Sequence, residues 1–95
     1  MDNSLFDWDN GNIAHIAEHG VMPEEAEEAI LGDPMELDFD VESGEERWTY
    51  VGESCAGRVL TVVFTTRGER IRVVTAFVPS PMRMGIYLEW RAKHS

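Results

Sequence analysis

The 95-residue chain has one cysteine and no apolar run long enough to cross a bilayer. A lone cysteine excludes an internal disulfide, and Cys55 falls in a predicted hairpin turn with no histidine nearby in the sequence, so we do not expect a nucleophile. The first nine residues lack the basic and apolar stretches of a secretory signal, and we expect a cytoplasmic protein without a membrane partner. The length suffices for one hydrophobic core, so residues 1–95 are predicted to form a single domain.

Lysine and arginine are absent from residues 1–46, which hold 15 acidic residues, whereas residues 47–95 hold 3 acidic and 8 basic residues. The two parts therefore carry formal charges of −15 and +5, which sum to −10. The total argues against a nucleic-acid partner, because phosphate binding depends on lysine and arginine. The asymmetry nevertheless predicts a basic surface on an otherwise acidic protein.

Two short helices are predicted in the acidic part, and one at the C-terminus. The first begins after a capping residue, Asp9 or Asn10, carries apolar residues at helical spacing and ends at Gly20. The second begins at Pro23 and has a glutamate-rich outer face. The segment 82–93 is predicted to form a closing helix.

Four strands account for most of the remaining chain. Alternation of apolar and acidic residues over Met35–Val41 predicts a strand that is buried on one side. Three segments rich in β-branched and aromatic residues follow, Arg47–Ser54, Arg58–Thr66 and Arg70–Val78. Because the breaks between them are short enough for hairpins, we expect an α+β fold with an antiparallel four-stranded sheet.

Alternation along the strands sorts their side chains between two faces of the sheet. The predicted core side carries Trp48, Tyr50, Leu60, Val62, Phe64, Ile71, Val73 and Phe77. The opposite side carries Arg47, Thr49, Thr61, Thr65, Arg70 and Arg72. We therefore expect an apolar face covered by the helices and a second face of threonines and arginines, which is the best candidate for a functional surface.

The sequence supports two interpretations of this second face. In one, Arg70 and Arg72 are free to bind phosphate, because they lie two strands away from the acidic first strand. In the other, Glu36, Asp38 and Asp40 neutralise the arginines through cross-strand pairs that contribute about 0.2–1 kcal/mol each.

His15 and His19 stand one helical turn apart in the segment HIAEHG. The glycine and the following Val21 indicate helix termination, and a histidine in the last turn can simply bond a free carbonyl. A metal site is disfavoured, because the HExxH pattern is missing and no third ligand is evident. Together with Asn12, both histidines line one side of the first helix and predict an exposed polar patch.

Three segments together resemble the BrnT family of type II toxin–antitoxin ribonucleases. They are FDWD at 6–9, EHGVMPEEAEEAI at 18–30 and RVLTVVFTTRGERIRVVTA at 58–76. The residues that fit the family pattern are His19, Gly20, Val21, Arg58, Arg67, Arg70, Arg72, Thr75 and Ala76. The resemblance implies a RelE-like fold, with helices on one side of an antiparallel sheet, and cleavage of RNA restrained by a cognate antitoxin.

Metal-independent RNA cleavage needs a base for the 2′-hydroxyl, positive charge for the phosphorane and an acid for the leaving oxygen. The catalytic candidates are His19, His15, Arg70 and Arg72. The RNA-binding candidates are Arg47, Arg58, Arg67 and Thr65. Neither a metal nor another cofactor is expected.

Three departures from the family pattern leave the enzymatic activity open. Glu18 stands where the family usually has a base, Phe77 where it usually has arginine, and PSPMRMGIY at 79–87 where it usually has a basic helix. The missing positive charges support an alternative function, in which a catalytically weakened relative acts as a protein-binding module. Its arginines would be paired internally, and its acidic part would meet a basic partner.

The predicted C-terminal helix is apolar on most sides. Its apolar residues are Met82, Met84, Ile86, Tyr87, Leu88 and Trp90. Methionine-rich surfaces adapt to partners. The segment therefore either packs deeply in the core or meets another chain, such as an antitoxin segment or a second copy bound through residues 82–91.

Overall fold

The computed structural model describes residues 5–94, whose elements follow one another in the order α–α–β–β–β–β–α. The helices are α1 (Asn10–Ala17), α2 (Pro23–Leu31) and α3 (Pro81–His94). The strands are β1 (Met35–Glu42), β2 (Glu45–Glu53), β3 (Val59–Arg67) and β4 (Arg70–Phe77). They form one antiparallel sheet in sequence order, so the predicted α+β fold class is confirmed. Within residues 5–94, no helix has both the length and the apolar character to span a membrane.

Both ends of α1 are fixed by local signals. Asp9 caps the helix, because its carboxylate accepts the Asn12 amide at 3.1 Å while the Asn12 side chain accepts the Asp9 amide at 2.8 Å. The helix ends where Gly20 adopts a φ of +72° and Val21 N–H donates to the carbonyl of Ile16 at 3.1 Å. The termination predicted from HIAEHG is therefore confirmed.

The helices α1 and α2 pack on one face of the sheet. The buried cluster between them and the sheet comprises Phe6, Ile16, Val21, Ala26, Ala29, Ile30, Leu60, Val62, Phe64, Val73 and Ala76. On β2, Gly52 lets α2 come close, since a Cβ there would overlap the carbonyl oxygen of Ala29 and lie 3.1 Å from its carbonyl carbon. The contact between α2 and the sheet therefore requires glycine at this position.

The third helix packs on the opposite face. Tyr87 of α3 is buried against Met35 and Val51, whereas Tyr50, the neighbour of Val51 in β2, packs against the first cluster. Successive residues of a strand point to opposite faces, so α3 and α2 lie on different sides of the sheet. The expectation that the helices cover only one face is therefore wrong. The second face holds enough apolar surface for a helix, because Val59 also packs against the cluster of Met35, Val51 and Tyr87.

A β-bulge in β4 moves one aromatic residue to the second face. The register of β3 and β4 skips Val74, so that Val73 lies opposite Phe64 while Phe77 lies opposite Thr61. The extra residue reverses the alternation of side chains beyond it. The prediction that Phe77 shares the core side with Val73 is therefore wrong.

A second irregularity divides the apolar residues of β1 between the two faces. The register shifts at Leu37, so that Met35 pairs with Val51 but Phe39 pairs with Trp48. Phe39 remains 51% exposed although its ring contacts Trp48. The prediction of a strand buried on one side is therefore wrong for β1.

The N-terminal segment of the described chain, residues 5–9, lies beside the edge strand β4. Asp7 N–H donates to the Ile71 carbonyl and Ile71 N–H donates to the Leu5 carbonyl, both at 2.8 Å. Beside this pairing, the side-chain amide Nδ2 of Asn12 donates to the carbonyls of Asp7 at 3.0 Å and Val73 at 3.3 Å. These bonds dock α1 alongside β4. They also bury Asn12, so the predicted exposed patch on α1 retains only the two histidines.

The opposite edge strand, β1, uses its own acidic side chains. The backbone N–H of Phe39 donates to the Asp38 carboxylate at 2.9 Å, and that of Val41 donates to the Asp40 carboxylate at 2.8 Å. Each amide is therefore bonded to the side chain that precedes it. The carboxylates of Asp38 and Asp40 therefore accept hydrogen bonds from the backbone of their own strand.

Candidate nucleic-acid interface

A groove of about 370 Å³ lies at the β4 edge of the sheet, bounded by α1 and by side chains of the second face. Among its lining residues are His15 of α1, Arg47 of β2, Thr65 and Arg67 of β3, and Arg72 of β4. Four elements thus bring an imidazole, a hydroxyl and several guanidinium groups together. Guanidinium groups bind phosphate oxygens in two-point contacts, so the groove is suited to an anionic ligand.

Carboxylates of the N-terminal segment pair with two arginines of the groove. The guanidinium of Arg72 lies 3.0 Å from the Asp9 carboxylate and 3.7 Å from that of Asp7, and the Arg72 side chain is 18% exposed. Arg67 also lies 3.7 Å from Asp7 but is 64% exposed. Arg72 is therefore paired with carboxylates, as in the second interpretation, although its partners come from residues 5–9 rather than from β1.

The pKa of Asp9 is lowered by this arrangement. The largest cause is the hydrogen bond from the Asn12 backbone, and the hydrogen bond and positive charge of Arg72 add to it. Asp9 therefore caps α1 and also forms an ion pair with Arg72, which lines the groove.

Arg47 pairs with carboxylates near the first hairpin. Its guanidinium lies 3.1 Å from Glu45 and 3.5 Å from Glu42. The predicted cross-strand neighbour Asp40 does lie opposite Arg47 in the register, but its carboxylate accepts the Val41 amide instead. Arg47 is thus paired with carboxylates on this face, but its partners are Glu42 and Glu45 rather than the predicted Glu36, Asp38 and Asp40.

Two predicted site arginines bond to the backbone away from the groove lining. Arg70 donates to the carbonyl of Phe6 at 2.7 Å and thereby holds the N-terminal segment. Arg58 donates to the carbonyl of Gly20 at 2.7 Å and pairs with Glu25 at 3.1 Å, which holds the turn between α1 and α2. Both arginines therefore have an anchoring contact that the sequence did not indicate.

The two histidines of α1 occupy different positions relative to the groove. His15 lines it, whereas His19 lies one turn further along, with its ring centroid 5.8 Å from that of His15 and 6.0 Å from that of Phe77. Thr65 lines the groove but is buried, and its hydroxyl donates to the Glu46 carbonyl at 2.7 Å. His15 is therefore the histidine placed beside the arginines.

A smaller cavity of about 160 Å³ lies between α3 and the end of β2. Three of its lining groups bond to one another, since the Tyr87 hydroxyl donates to Glu53 at 2.9 Å and Arg91 lies 3.0 Å from the same carboxylate. Burial, the hydrogen bond to Glu53 and the charge of Glu53 raise the pKa of Tyr87 to about 12. These contacts hold α3 on the sheet, and the larger groove is the stronger candidate for ligand binding.

Other reactive groups of the described chain do not form a second site. Cys55 is exposed, and the negative charge and hydrogen bond of Glu28, together with some burial, raise the pKa of its thiol. A raised pKa disfavours the reactive thiolate. Within residues 5–94, no three histidine, cysteine or acidic side chains come together as metal ligands.

The third helix leaves several apolar side chains exposed. Tyr87 is its buried residue, whereas Met82 is 80% exposed, Ile86 51% and Leu88 47%. Deep packing in the core therefore accounts for part of the helix only. Binding of a second copy through residues 82–91 stays a prediction.

A family model described as the ribonuclease toxin, BrnT, of type II toxin–antitoxin systems matches residues 8–77, well over half of the 95-residue chain. The matched range includes α1, α2 and the whole sheet, and with them the groove between α1 and β4. No curated protein and no solved structure matches the chain.

Proposed function

The chain belongs to the BrnT family of ribonuclease toxins of type II toxin–antitoxin systems, and on this premise we propose that its groove binds and cleaves RNA without a metal ion. The observation that carries the proposal is the convergence of His15 with Arg47, Arg67 and Arg72 in one groove. The family also implies an antitoxin partner that restrains the toxin.

His15 is the proposed general base. It takes the proton of a ribose 2′-hydroxyl, whose oxygen then attacks the adjacent phosphorus. An O2′–P bond forms while the P–O5′ bond breaks, which leaves a 2′,3′-cyclic phosphate and a 5′-hydroxyl that takes its proton from water. Arg67 and Arg72 contact the non-bridging oxygens, where negative charge grows in the transition state.

A direct test uses purified protein, a single-stranded RNA and an excess of chelator. We expect the parent to cleave the RNA and the Arg67→Ala, Arg72→Ala variant to cleave at least about 100-fold more slowly, because the transition-state charge loses its partners. Arg83→Ala is the matched control, since Arg83 lies on α3 outside the groove lining. Thermal unfolding of each variant shows whether the fold is retained.

The ion pairs in the groove favour a second candidate function, a protein-binding module with internally paired arginines. Expression of the gene alone in a bacterial host separates the two candidates. Growth arrest by the parent but not by the double arginine variant supports the nuclease. Healthy growth with intact RNA in both cultures would contradict the nuclease and support the binding module.

The carboxylate of Asp9 is expected to compete with phosphate for Arg72. Asp9→Asn keeps a good helix cap while it removes the negative charge 3.0 Å from the guanidinium. We expect this variant to bind a non-cleavable oligonucleotide about two- to five-fold more tightly, as measured by fluorescence anisotropy. Weaker binding would instead show that Asp9 positions Arg72 for the ligand.

The same variant has a testable dependence on pH. Since the folded-state pKa of Asp9 is lowered from 3.8, its contribution to stability is present above that ordinary value and is lost as the pH falls through the folded-state value. Asp9→Asn should therefore lose less stability than the parent on acidification below about pH 4. Denaturant unfolding at several pH values measures the difference.

A further inference from the structure

Three rings form a row that leads out of the groove between α1 and β4. The ring centroids of His15 and His19 lie 5.8 Å apart, and those of His19 and Phe77 lie 6.0 Å apart. His15 lines the groove, both histidines are exposed, and Phe77 is half-buried. The row therefore begins among the arginines and continues along the surface.

The β-bulge at Val74 is what gives Phe77 this position. Because the register skips one residue, Arg72 lies opposite Thr65 and Phe77 lies opposite Thr61. The side chains of Arg72 and Phe77 therefore both lie on the second face of the sheet. Five residues of strand place the backbones of Arg72 and Phe77 roughly 15 Å apart. The same face of β4 thus presents a guanidinium at one end and an aromatic ring at the other.

Core packing does not account for the ring of Phe77. It is a member of neither apolar cluster formed by residues 5–94, and the ring it meets is that of His19, an exposed polar side chain. An aromatic ring beside an imidazole on a surface can receive another flat ring by stacking. The flat rings of an RNA are its bases.

We propose that Phe77 and His19 form a stacking site for an unpaired nucleobase of the RNA whose phosphate lies among the arginines. This proposal rests on the proposed function and specifies its substrate class as single-stranded RNA. In a duplex, the bases are already stacked on one another and do not reach a protein ring. In a single strand, each base has a free face, and stacking is tolerant of sequence.

The test measures binding of a single-stranded 2′-O-methyl oligoribonucleotide, which lacks the attacking hydroxyl and is not cleaved. Phe77→Leu keeps an apolar side chain but removes the ring, and we expect its Kd to rise about 5- to 100-fold in fluorescence anisotropy. Phe77→Trp keeps a ring and should bind within about two-fold of the parent. His19→Ala should weaken binding in the same direction as Phe77→Leu. The same oligonucleotide annealed to its complement should bind the parent weakly, with no further loss on Phe77→Leu.

The outcomes separate this proposal from the proposed function. Unchanged binding by Phe77→Leu, together with weakened binding by the Arg67→Ala, Arg72→Ala variant, would overturn the stacking site and leave the ribonuclease proposal in place. Equal losses in Phe77→Leu and Phe77→Trp, or tight binding of the duplex, would also overturn it. A parent protein that binds neither oligonucleotide would overturn both proposals. Thermal unfolding of each variant confirms that the protein compared is folded.

Discussion

Replacing His15 by alanine is expected to lower the rate constant of RNA cleavage by about 10²- to 10⁴-fold. The imidazole is the candidate base that lines the groove with Arg67 and Arg72. Because His15 is exposed on α1, its removal should leave the fold and oligonucleotide binding close to those of the parent. Single-turnover cleavage with excess protein measures the rate constant separately from binding.

His19→Ala is the matched control for this prediction. His19 belongs to the same helix surface but stands beside Phe77 rather than in the groove lining. We expect it to raise the Kd for RNA while the rate constant of cleavage at saturating protein stays within a few-fold. The reverse pattern, with an active His15→Ala protein and an inactive His19→Ala protein, would exchange their roles.

Gly52→Ala is expected to lower the free energy of unfolding by about 3 kcal/mol. The added Cβ would overlap the Ala29 carbonyl oxygen and lie 3.2 Å from the Cβ of Pro34. Because the obstacle is helix backbone, α2 has to move away from β2 and lose its packing on the sheet. A loss of this size lowers the Tm of a domain this small by about 10–20 °C, which calorimetry measures directly.

The opposite result is expected for Gly85→Ala. Apart from its chain neighbours and the backbone of its own helix, a Cβ at this position of α3 would meet no heavy atom of the described chain within 4 Å. Alanine is favoured over glycine inside a helix by up to about 1 kcal/mol, so the variant should unfold at a higher temperature than the parent.

If Gly52→Ala were instead as stable as the parent, α2 would be able to move away from β2 without loss of stability, and the prediction for Gly52 would be wrong.

The order of helices and strands could be predicted from local patterns. Asp9 and Gly20 mark the ends of α1, and the short breaks between strands specify hairpins, so each predicted element occurs in the structure. The bulges at Leu37 and Val74 could not be predicted, because an extra residue in a strand has no compositional signal. Their consequences are large, since each moves later side chains to the other face.

The candidate site was predicted in part. Alternation placed Arg47, Thr65 and Arg72 on one face, and the structure brings them into one groove with His15. The pairing of Asp7 and Asp9 with Arg72 was missed, because it joins residues more than sixty positions apart in sequence. The sequence of residues 6–9 nevertheless indicates part of this arrangement.

In the segment FDWD the aromatic and acidic residues alternate. Phe6 and Trp8 stack on each other, and Asp7 and Asp9 both pair with Arg72. A period of two therefore indicated an extended segment with two carboxylates on a single side. The alternation therefore predicts the extended conformation of this segment and the common side of its two carboxylates. It does not predict that the segment lies beside β4.

The carboxylates of β1 bear on the behaviour of the protein at high concentration. A second molecule that approached this strand would find the amides of Phe39 and Val41 already bonded to Asp38 and Asp40, and it would meet their negative charge. At the far side of the sheet, residues 5–7 already occupy the place beside Ile71 of β4 and bond to its backbone. Open-ended addition of strands, the route by which sheets polymerise into fibrils, is thereby disfavoured in both directions.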